Sequence, residues 1–154
     1  MKLTINGPQD LLARAGQKLA AGEWQTMELA RIQKFADATD DHQWIHVDEE
    51  RAKRESPFGK AVAHGYLTLS LTAGAFFDLL DFQGFAMAVN YGSNKVRYPS
   101  PLGVGDRYRV TIALGEVREL EGGFLEAIFQ NAVEIEGKNK PACVAEVVVR
   151  LKVA

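Results

Sequence analysis

The second half of the chain alternates between apolar and polar residues with a period of two, which is the pattern of half-buried β-strands. Three segments show it, with these apolar positions: Tyr108, Val110, Ile112 and Leu114; Leu125, Ala127, Phe129, Val133 and Ile135; Val147, Val149, Leu151 and Val153. Residues 120–123 and 136–141 separate the segments and predict hairpin turns. A fourth strand is expected before them, over residues 85–98. The phase of its alternation slips at Gly92–Ser93, which predicts a β-bulge there.

Four helices are expected in the first half of the chain, over residues 8–20, 28–38, 48–55 and 61–80. A brief strand is expected at residues 23–27, and Thr26 could cap the second helix. The fourth helix has few charges and carries apolar residues on every side, so we expect it to be buried all round. It is too short, and too polar in its middle, to cross a bilayer.

A long apolar helix followed by about four antiparallel strands in a meander predicts an α+β chain. We expect the hot-dog architecture, in which a sheet wraps around a central helix. One sheet alone could not cover so apolar a helix. A second subunit that pairs its sheet edge to edge with the first would complete the burial, so a homodimer is expected. The length of 154 residues fits one domain over residues 1–154.

Composition and charge argue against several classes of function. The net charge of −2 gives no sign of a nucleic-acid partner. The N-terminus lacks the continuous apolar segment of a signal peptide, and no apolar run reaches the roughly 20 residues of a membrane span. The single cysteine, Cys143, lies in an apolar run and is expected to be a buried hydrophobe rather than a nucleophile. We therefore expect a cytoplasmic protein.

The stretch DDHQWIH, residues 40–46, places two carboxylates and two imidazoles within seven positions. If the chain leaves a helix and turns here, Asp41 and His46 can hold one water between them as a general acid–base pair. Taken singly, Asp41 could be a turn carboxylate and His46 a buried, hydrogen-bonded histidine. A metal site that adds His42 is a weaker alternative, because the chain has no HExxH motif and no cysteine cluster. No metal is therefore expected.

His64 and Gly65 stand at the start of the fourth helix, where free N–H groups form the positive end of the helix dipole. The Gly65 N–H could stabilise an enolate oxygen, because a glycine lets a ligand approach the backbone; close helix packing is the alternative. His64 is expected chiefly to tie a loop to the helix. Lys95 and Arg97, two positions apart on one strand, could bind a phosphate-bearing substrate tail, or could be solvated cations.

Three stretches of the chain resemble the MaoC-like dehydratases, the (R)-specific enoyl-CoA hydratase group of hot-dog enzymes: residues 35–52, 61–71 and 96–106. The resemblance covers about residues 8–154 and is closest to the nodulation-protein-N-like branch, for which DHQWIHVD is typical. It places the catalytic aspartate and histidine of the family at Asp41 and His46, and the oxyanion glycine at Gly65.

The chain departs from the family pattern at three places. Gln43–Trp44 stand where the hydratases usually have Asn-Pro, and Asp40 stands where a glycine usually precedes the aspartate. We expect the Asp40 carboxylate to point to solvent. Ala73 stands where some members place a serine beside the substrate, which affects substrate positioning rather than proton chemistry.

The resemblance implies reversible hydration of a trans-2-enoyl thioester of coenzyme A or acyl-carrier protein to an (R)-3-hydroxyacyl thioester, without a metal or redox cofactor. Gly65 would receive the charge on the thioester oxygen, and Asp41 and His46 would share the proton transfers, with Asp41 expected as the base. Two alternatives stay open. One is a thioesterase on the same fold, and the other is a non-catalytic acyl-CoA-binding protein.

Overall fold

The computed structural model describes residues 1–154 and contains five helices and eight strands. The helices are α1 (Gly7–Ala13), α2 (Leu29–Thr39), α3 (Trp44–Val47), α4 (Glu49–Glu55) and α5 (Gly65–Leu79). The strands are β1 (Leu3–Asn6), β2 (Lys18–Ala21), β3 (Gln25–Thr26), β4 (Leu80–Gln83), β5 (Phe85–Arg97), β6 (Arg107–Leu120), β7 (Phe124–Ile135) and β8 (Cys143–Val153).

The main sheet is antiparallel, with the strand order β2-β6-β7-β8-β5 and the short β3 beside β6. As predicted, β6, β7 and β8 form a meander through turns at residues 120–123 and 136–141. The prediction that β5 begins this meander is wrong, because β5 pairs with β8 at the far end. Residues 98–106, which contain Pro99 and Pro101, leave the sheet and carry the chain back to β6; proline cannot donate to a strand ladder. β1 and β4 form a separate parallel pair.

The helix α5 packs against one face of this sheet. Its buried side carries Leu67, Thr68, Leu71, Thr72 and Phe76. Phe76 meets Phe129 of β7 edge to face, with ring centroids 4.8 Å apart. An antiparallel sheet packed around one central helix is the predicted hot-dog architecture. The helix is not buried all round in one chain, however, since Tyr66 and Phe77 are 72% and 57% exposed.

Several predicted boundaries are wrong near the N-terminus. The first helix ends at Ala13, and residues 18–21 form β2, because Gly16 turns the chain with a φ of 82° and donates its N–H to Leu114 at the start of the pairing with β6. Thr26 does not cap α2; the cap position is Glu28, without a side-chain hydrogen bond. The fourth helix begins at Gly65 rather than residue 61.

The strand pattern itself is confirmed. The apolar positions of β6, β7 and β8 face the core, and the register of β5 slips on both sides of Gly92–Ser93, where the bulge was expected. None of the helices has both the length and the apolar character needed to cross a membrane.

Candidate active site

The stretch 40–46 leaves α2 through a tight turn. Asp40 ends the helix in the left-handed conformation, with a φ of 60°, which suits the glycine usual in the family and which aspartate tolerates better than most residues. The exposed His42 turns outward to Asp37, with Nε2 2.9 Å from Oδ1. The single turn α3 then brings His46 inward. The chain reversal therefore separates His42 from His46, although they are four residues apart.

A backbone carbonyl fixes the orientation of His46. Its Nδ1–H donates to the Val62 carbonyl at 2.7 Å, and the residue is only 8% exposed. Burial lowers the pKa of His46 below its usual 6.5, and this effect outweighs the hydrogen bond to Val62, which raises the pKa. A neutral imidazole with its proton on Nδ1 has its lone pair on Nε2. His46 is therefore a proton acceptor at neutral pH.

His64 joins the two candidate catalytic residues. Its Nε2–H donates to the backbone carbonyl of Asp41 at 3.0 Å, and its ring stacks on His46 with centroids 3.9 Å apart. Phe35 packs on the His64 ring with centroids 4.9 Å apart. His64 thus ties the 40–43 loop to the start of α5, as the sequence predicted.

The carboxylate of Asp41 completes the cluster. One side-chain ligand atom from each of Asp41, His46 and His64 lies within 4.8 Å of the others. One water with ordinary hydrogen bonds of about 2.8 Å can bridge Asp41 and His46 across such a gap. The same three groups could hold a metal ion by their spacing alone. The weaker alternative of a metal site that includes His42 does not fit, because that side chain points away to Asp37.

Gly65 is the first residue of α5, and its N–H makes no hydrogen bond within the chain. The ring of Tyr98 covers its α-carbon; a Cβ added to Gly65 would lie 3.0–3.1 Å from three atoms of that ring. A side chain here would force Tyr98 to move. Gly65 therefore has both features that the sequence offered as alternatives: an N–H without a partner in the chain, and close packing against a neighbouring side chain.

A cavity of about 390 Å³ lies further along α5, between the helix and the sheet. Its walls are mainly apolar side chains from α5, β5 and β8, with Ala73, Phe76 and Phe77 on the helix. Such a volume falls in the range of small-molecule sites. Ala73, which replaces a serine of some hydratases, lines it, and so does Ser70 one turn earlier.

The sequence profile of the family described as "MaoC like domain" matches residues 10–134. The chain belongs to the MaoC-like dehydratase family. It is similar to 3-hydroxyacyl-thioester dehydratase Z of Mycobacterium tuberculosis, with 46% identity over 147 residues that cover 96% of this chain and 97% of that protein. Nodulation protein N of Rhizobium meliloti is 43% identical over 137 residues, covering 88% and 85%. The predicted family and branch are confirmed.

The fold agrees with this membership. The structure of an (R)-hydratase from A. caviae superposes with a TM-score of 0.69 at 22% identity, over 91% of this chain and 96% of that one. A MaoC-like dehydratase is an enzyme of the hydro-lyase class, as the sequence predicted.

Two predicted substrate contacts of this MaoC-like dehydratase lie outside the cluster. Lys95 and Arg97 are exposed on β5 and form no ion pair with a carboxylate of the chain. Arg97 donates to the neighbouring Val96 carbonyl at 2.7 Å. Arg97 is adjacent in sequence to Tyr98, so this end of β5 borders Gly65.

Sequence reasoning missed three contributors to the dehydratase site. Val62 acts through its carbonyl, which no side-chain pattern reveals. Phe35 and Tyr98 belong to the stretches that resemble the family, but aromatic residues in such stretches are usually core residues. Cys143 is buried, as predicted, and burial raises the pKa of its thiol to about 11, which disfavours the reactive thiolate.

Proposed function

We propose that the chain catalyses the reversible hydration of trans-2-enoyl thioesters to (R)-3-hydroxyacyl thioesters. The observation that carries the proposal is the placement of the Asp41 carboxylate and the His46 imidazole within 4.8 Å, close enough to share one water. The printed name of the Mycobacterium tuberculosis relative, a 3-hydroxyacyl-thioester dehydratase, supports a thioester substrate of this kind.

His46 is the base in the mechanism that the hydrogen bonding supports. The water oxygen bonds to C3 of the substrate while His46 Nε2 takes one water proton. The electron pair of the double bond moves into the thioester as an enolate. The imidazolium then returns its proton to C2, and dehydration is the reverse. The Asp41 carboxylate accepts a hydrogen bond from the second O–H of the water and in this way orients the water. This division is opposite to the one expected from the sequence, because His46 has no Nε2 proton to give at the start.

The enolate oxygen is stabilised at the start of α5. The Gly65 N–H has no other partner, and the helix dipole adds positive potential there. A thioesterase would need the water aimed at the carbonyl carbon instead. When the thioester carbonyl oxygen binds the Gly65 N–H, a water held between Asp41 and His46 faces the conjugated carbon atoms rather than the carbonyl carbon.

The acyl chain occupies the cavity along α5, which starts beyond the reacting end of the helix. The coenzyme A or carrier-protein end of the substrate leaves past Tyr98 towards Lys95 and Arg97. These exposed cations could bind its phosphate groups, since they have no carboxylate partners within the chain.

The functional form is a homodimer in which two β5 strands pair. β5 is an edge strand of 13 residues, and its outer face exposes Met87, Val89 and Tyr91. Long apolar edges are normally covered, and Tyr66 and Phe77 of α5 are exposed as well. Light scattering at micromolar concentration should give about twice 17.0 kDa. A stable monomer would contradict this arrangement.

One assay tests the activity. Purified protein is mixed with crotonyl-CoA, and the loss of the conjugated enoyl absorbance is followed beside release of free thiol. Hydration without thiol release is expected, and a chelator should not change the rate. Thiol release would favour a thioesterase, and neither signal would favour a binding protein. A rate abolished by the chelator and restored by a divalent metal would identify the three-residue cluster as a metal site.

A further inference from the structure

The cavity along α5 contains a polar group that nothing in the chain satisfies. Asn131 of β7 lines the cavity and is 4% exposed, yet its side-chain amide makes no hydrogen bond within the chain, and its Oδ1 is covered. Buried amide oxygens are nearly always hydrogen-bonded, because an unpaired one destabilises the fold. The absent partner must therefore come from outside the protein chain.

The position of Asn131 in the strand directs its amide into the cavity. It shares the parity of Phe129 and Val133, whose side chains are fully buried against the helix. Its neighbours across the sheet are Ile112 on β6 and Ala145 on β8. A valine or leucine would fill this place with apolar contacts. An asparagine here instead places a polar group beside the apolar Val147 and Val149 of β8.

Other polar groups surround the same space. Ser70 and Thr72 of α5 donate their hydroxyl hydrogens to helix carbonyls at 2.7 Å, so that their oxygens remain as acceptors. Asn90 and Ser93 of β5 also line the cavity, and their side chains make no hydrogen bond within the chain. A ligand group at this level of the cavity therefore meets the accepting oxygens of Ser70 and Thr72 beside groups that can both donate and accept.

We infer that the acyl chain of the substrate carries a hydroxyl group that hydrogen-bonds to Asn131. The inference rests on the proposed function. A hydroxyl donates and accepts through one oxygen, so it bonds whichever end of the amide faces the cavity, whereas a keto group, which only accepts, bonds the NH2 end alone. Thr72 follows Gly65 by seven residues, which is about 10 Å along the helix. The hydroxyl thus lies several carbons from the thioester, well away from the one that hydration creates.

The test compares trans-2-enoyl-CoA substrates of increasing chain length, with and without a terminal hydroxyl. For the length that reaches Asn131, the wild-type kcat/KM should favour the hydroxylated substrate by roughly tenfold. Asn131→Leu should abolish or reverse this preference. Crotonyl-CoA, which is too short to reach the amide, gives a reference rate for each protein. Gln130→Leu is the matched control, because Gln130 is the next residue on the strand and lies exposed on the opposite face.

The preference is a ratio measured on one sample, so it does not depend on the folded fraction of a destabilised variant. An equal preference in wild type and Asn131→Leu would overturn the inference and leave the amide as the site of a buried water. If crotonyl-CoA is not hydrated at all, the proposed function fails instead. In that case, calorimetry measures the affinities of wild type and Asn131→Leu for saturated acyl-CoA with and without the hydroxyl. The ratio of the two affinities in each protein then tests the inference.

Discussion

Two regions along α5 hold their polar groups in different ways. At the N-terminal end, backbone carbonyls accept hydrogen bonds from the imidazoles: His46 donates to the Val62 carbonyl, and His64 donates to the Asp41 carbonyl. In the cavity further along, Asn131 has no partner and its neighbours are mostly apolar. Backbone carbonyls have no rotamers, so they hold a reacting group in one geometry. An unpaired amide leaves its hydrogen bond free for the ligand. The comparison suggests that chemistry and substrate choice can be changed separately.

The largest effect is expected from His46→Gln. Glutamine can still donate to the Val62 carbonyl, but it offers no basic nitrogen to the water, so hydration should fall by roughly 10³ for short and long substrates alike. Asp41→Asn should cost about 10², because the water loses its orientation rather than its base. Rates on crotonyl-CoA measure both.

The control for this pair is His42→Gln, since His42 is exposed and turned towards Asp37; its rate should not change. A His46→Gln protein with near-normal turnover would contradict the assignment of His46 as the base. A larger loss in Asp41→Asn than in His46→Gln would reverse the proposed division between base and orienting group.

A second large effect is expected from Gly65→Ala, whose methyl group would meet the Tyr98 ring at 3.0–3.1 Å. If the thioester oxygen must reach the Gly65 N–H, turnover should fall about a hundredfold, as for the loss of one oxyanion donor. Thermal midpoint and turnover are measured on the same sample. A destabilised protein with normal turnover per folded molecule would show that this glycine serves packing only.

The clash with Tyr98 can be separated from the loss of the donor. Tyr98→Ala in the Gly65→Ala background removes the ring that the methyl group displaces. Recovery of turnover in the double variant would assign the defect to Tyr98, whereas continued slow turnover would assign it to the approach of the oxygen. Tyr98→Ala alone provides the reference rate.

The pH dependence sharpens the contrast from the reacting end. His46 must be neutral to accept a proton, and burial lowers its pKa below 6.5. The kcat/KM on crotonyl-CoA should therefore be flat around neutral pH and fall tenfold per pH unit only below that lowered pKa. The preference for a hydroxylated chain, measured as a ratio of two kcat/KM values, should stay constant over the pH range in which kcat/KM itself falls. An acid limb centred above 6.5 would contradict a buried neutral base.

A smaller effect is expected from Ala73→Leu, which fills part of the cavity. The kcat/KM for a long-chain enoyl-CoA should fall about tenfold, whereas crotonyl-CoA should be unaffected. Gly74→Ala is the matched control, because a Cβ there meets nothing within 4 Å. An equal loss on both substrates would mean that the cavity and the reacting end are not independent.

Much of this fold followed from periodicity. The inward positions of β6, β7 and β8 are set by alternation, which has only two phases, so the buried face was predictable. The pairing of β5 with β8 was not, because strand order depends on contacts between distant segments that no local pattern encodes. The segment 18–21 was assigned to a helix for the same reason: its pairing with β6 outweighs its local helix propensity.

The site divides in the same way. The types and spacing of Asp41, His46, His64 and Gly65 were visible in the sequence, because motifs record which chemical groups are present. Asn131 also left a signal, as the one polar residue on the inward parity of β7 between Leu125 and Ile135. A polar residue in such a row indicates an unusual position, but it does not reveal whether a neighbour satisfies it.

By itself, the sequence determined which residues are apolar inside and which groups can move protons. Only the tertiary structure decided the surroundings of His46. The Val62 carbonyl, 16 residues from His46, places the proton on Nδ1, and burial by surrounding segments keeps the ring neutral. Distance along the chain carries no information about such a contact. Desolvation and hydrogen bonding arise when separate segments meet, so the proposal that His46 is the base rests on the folded chain.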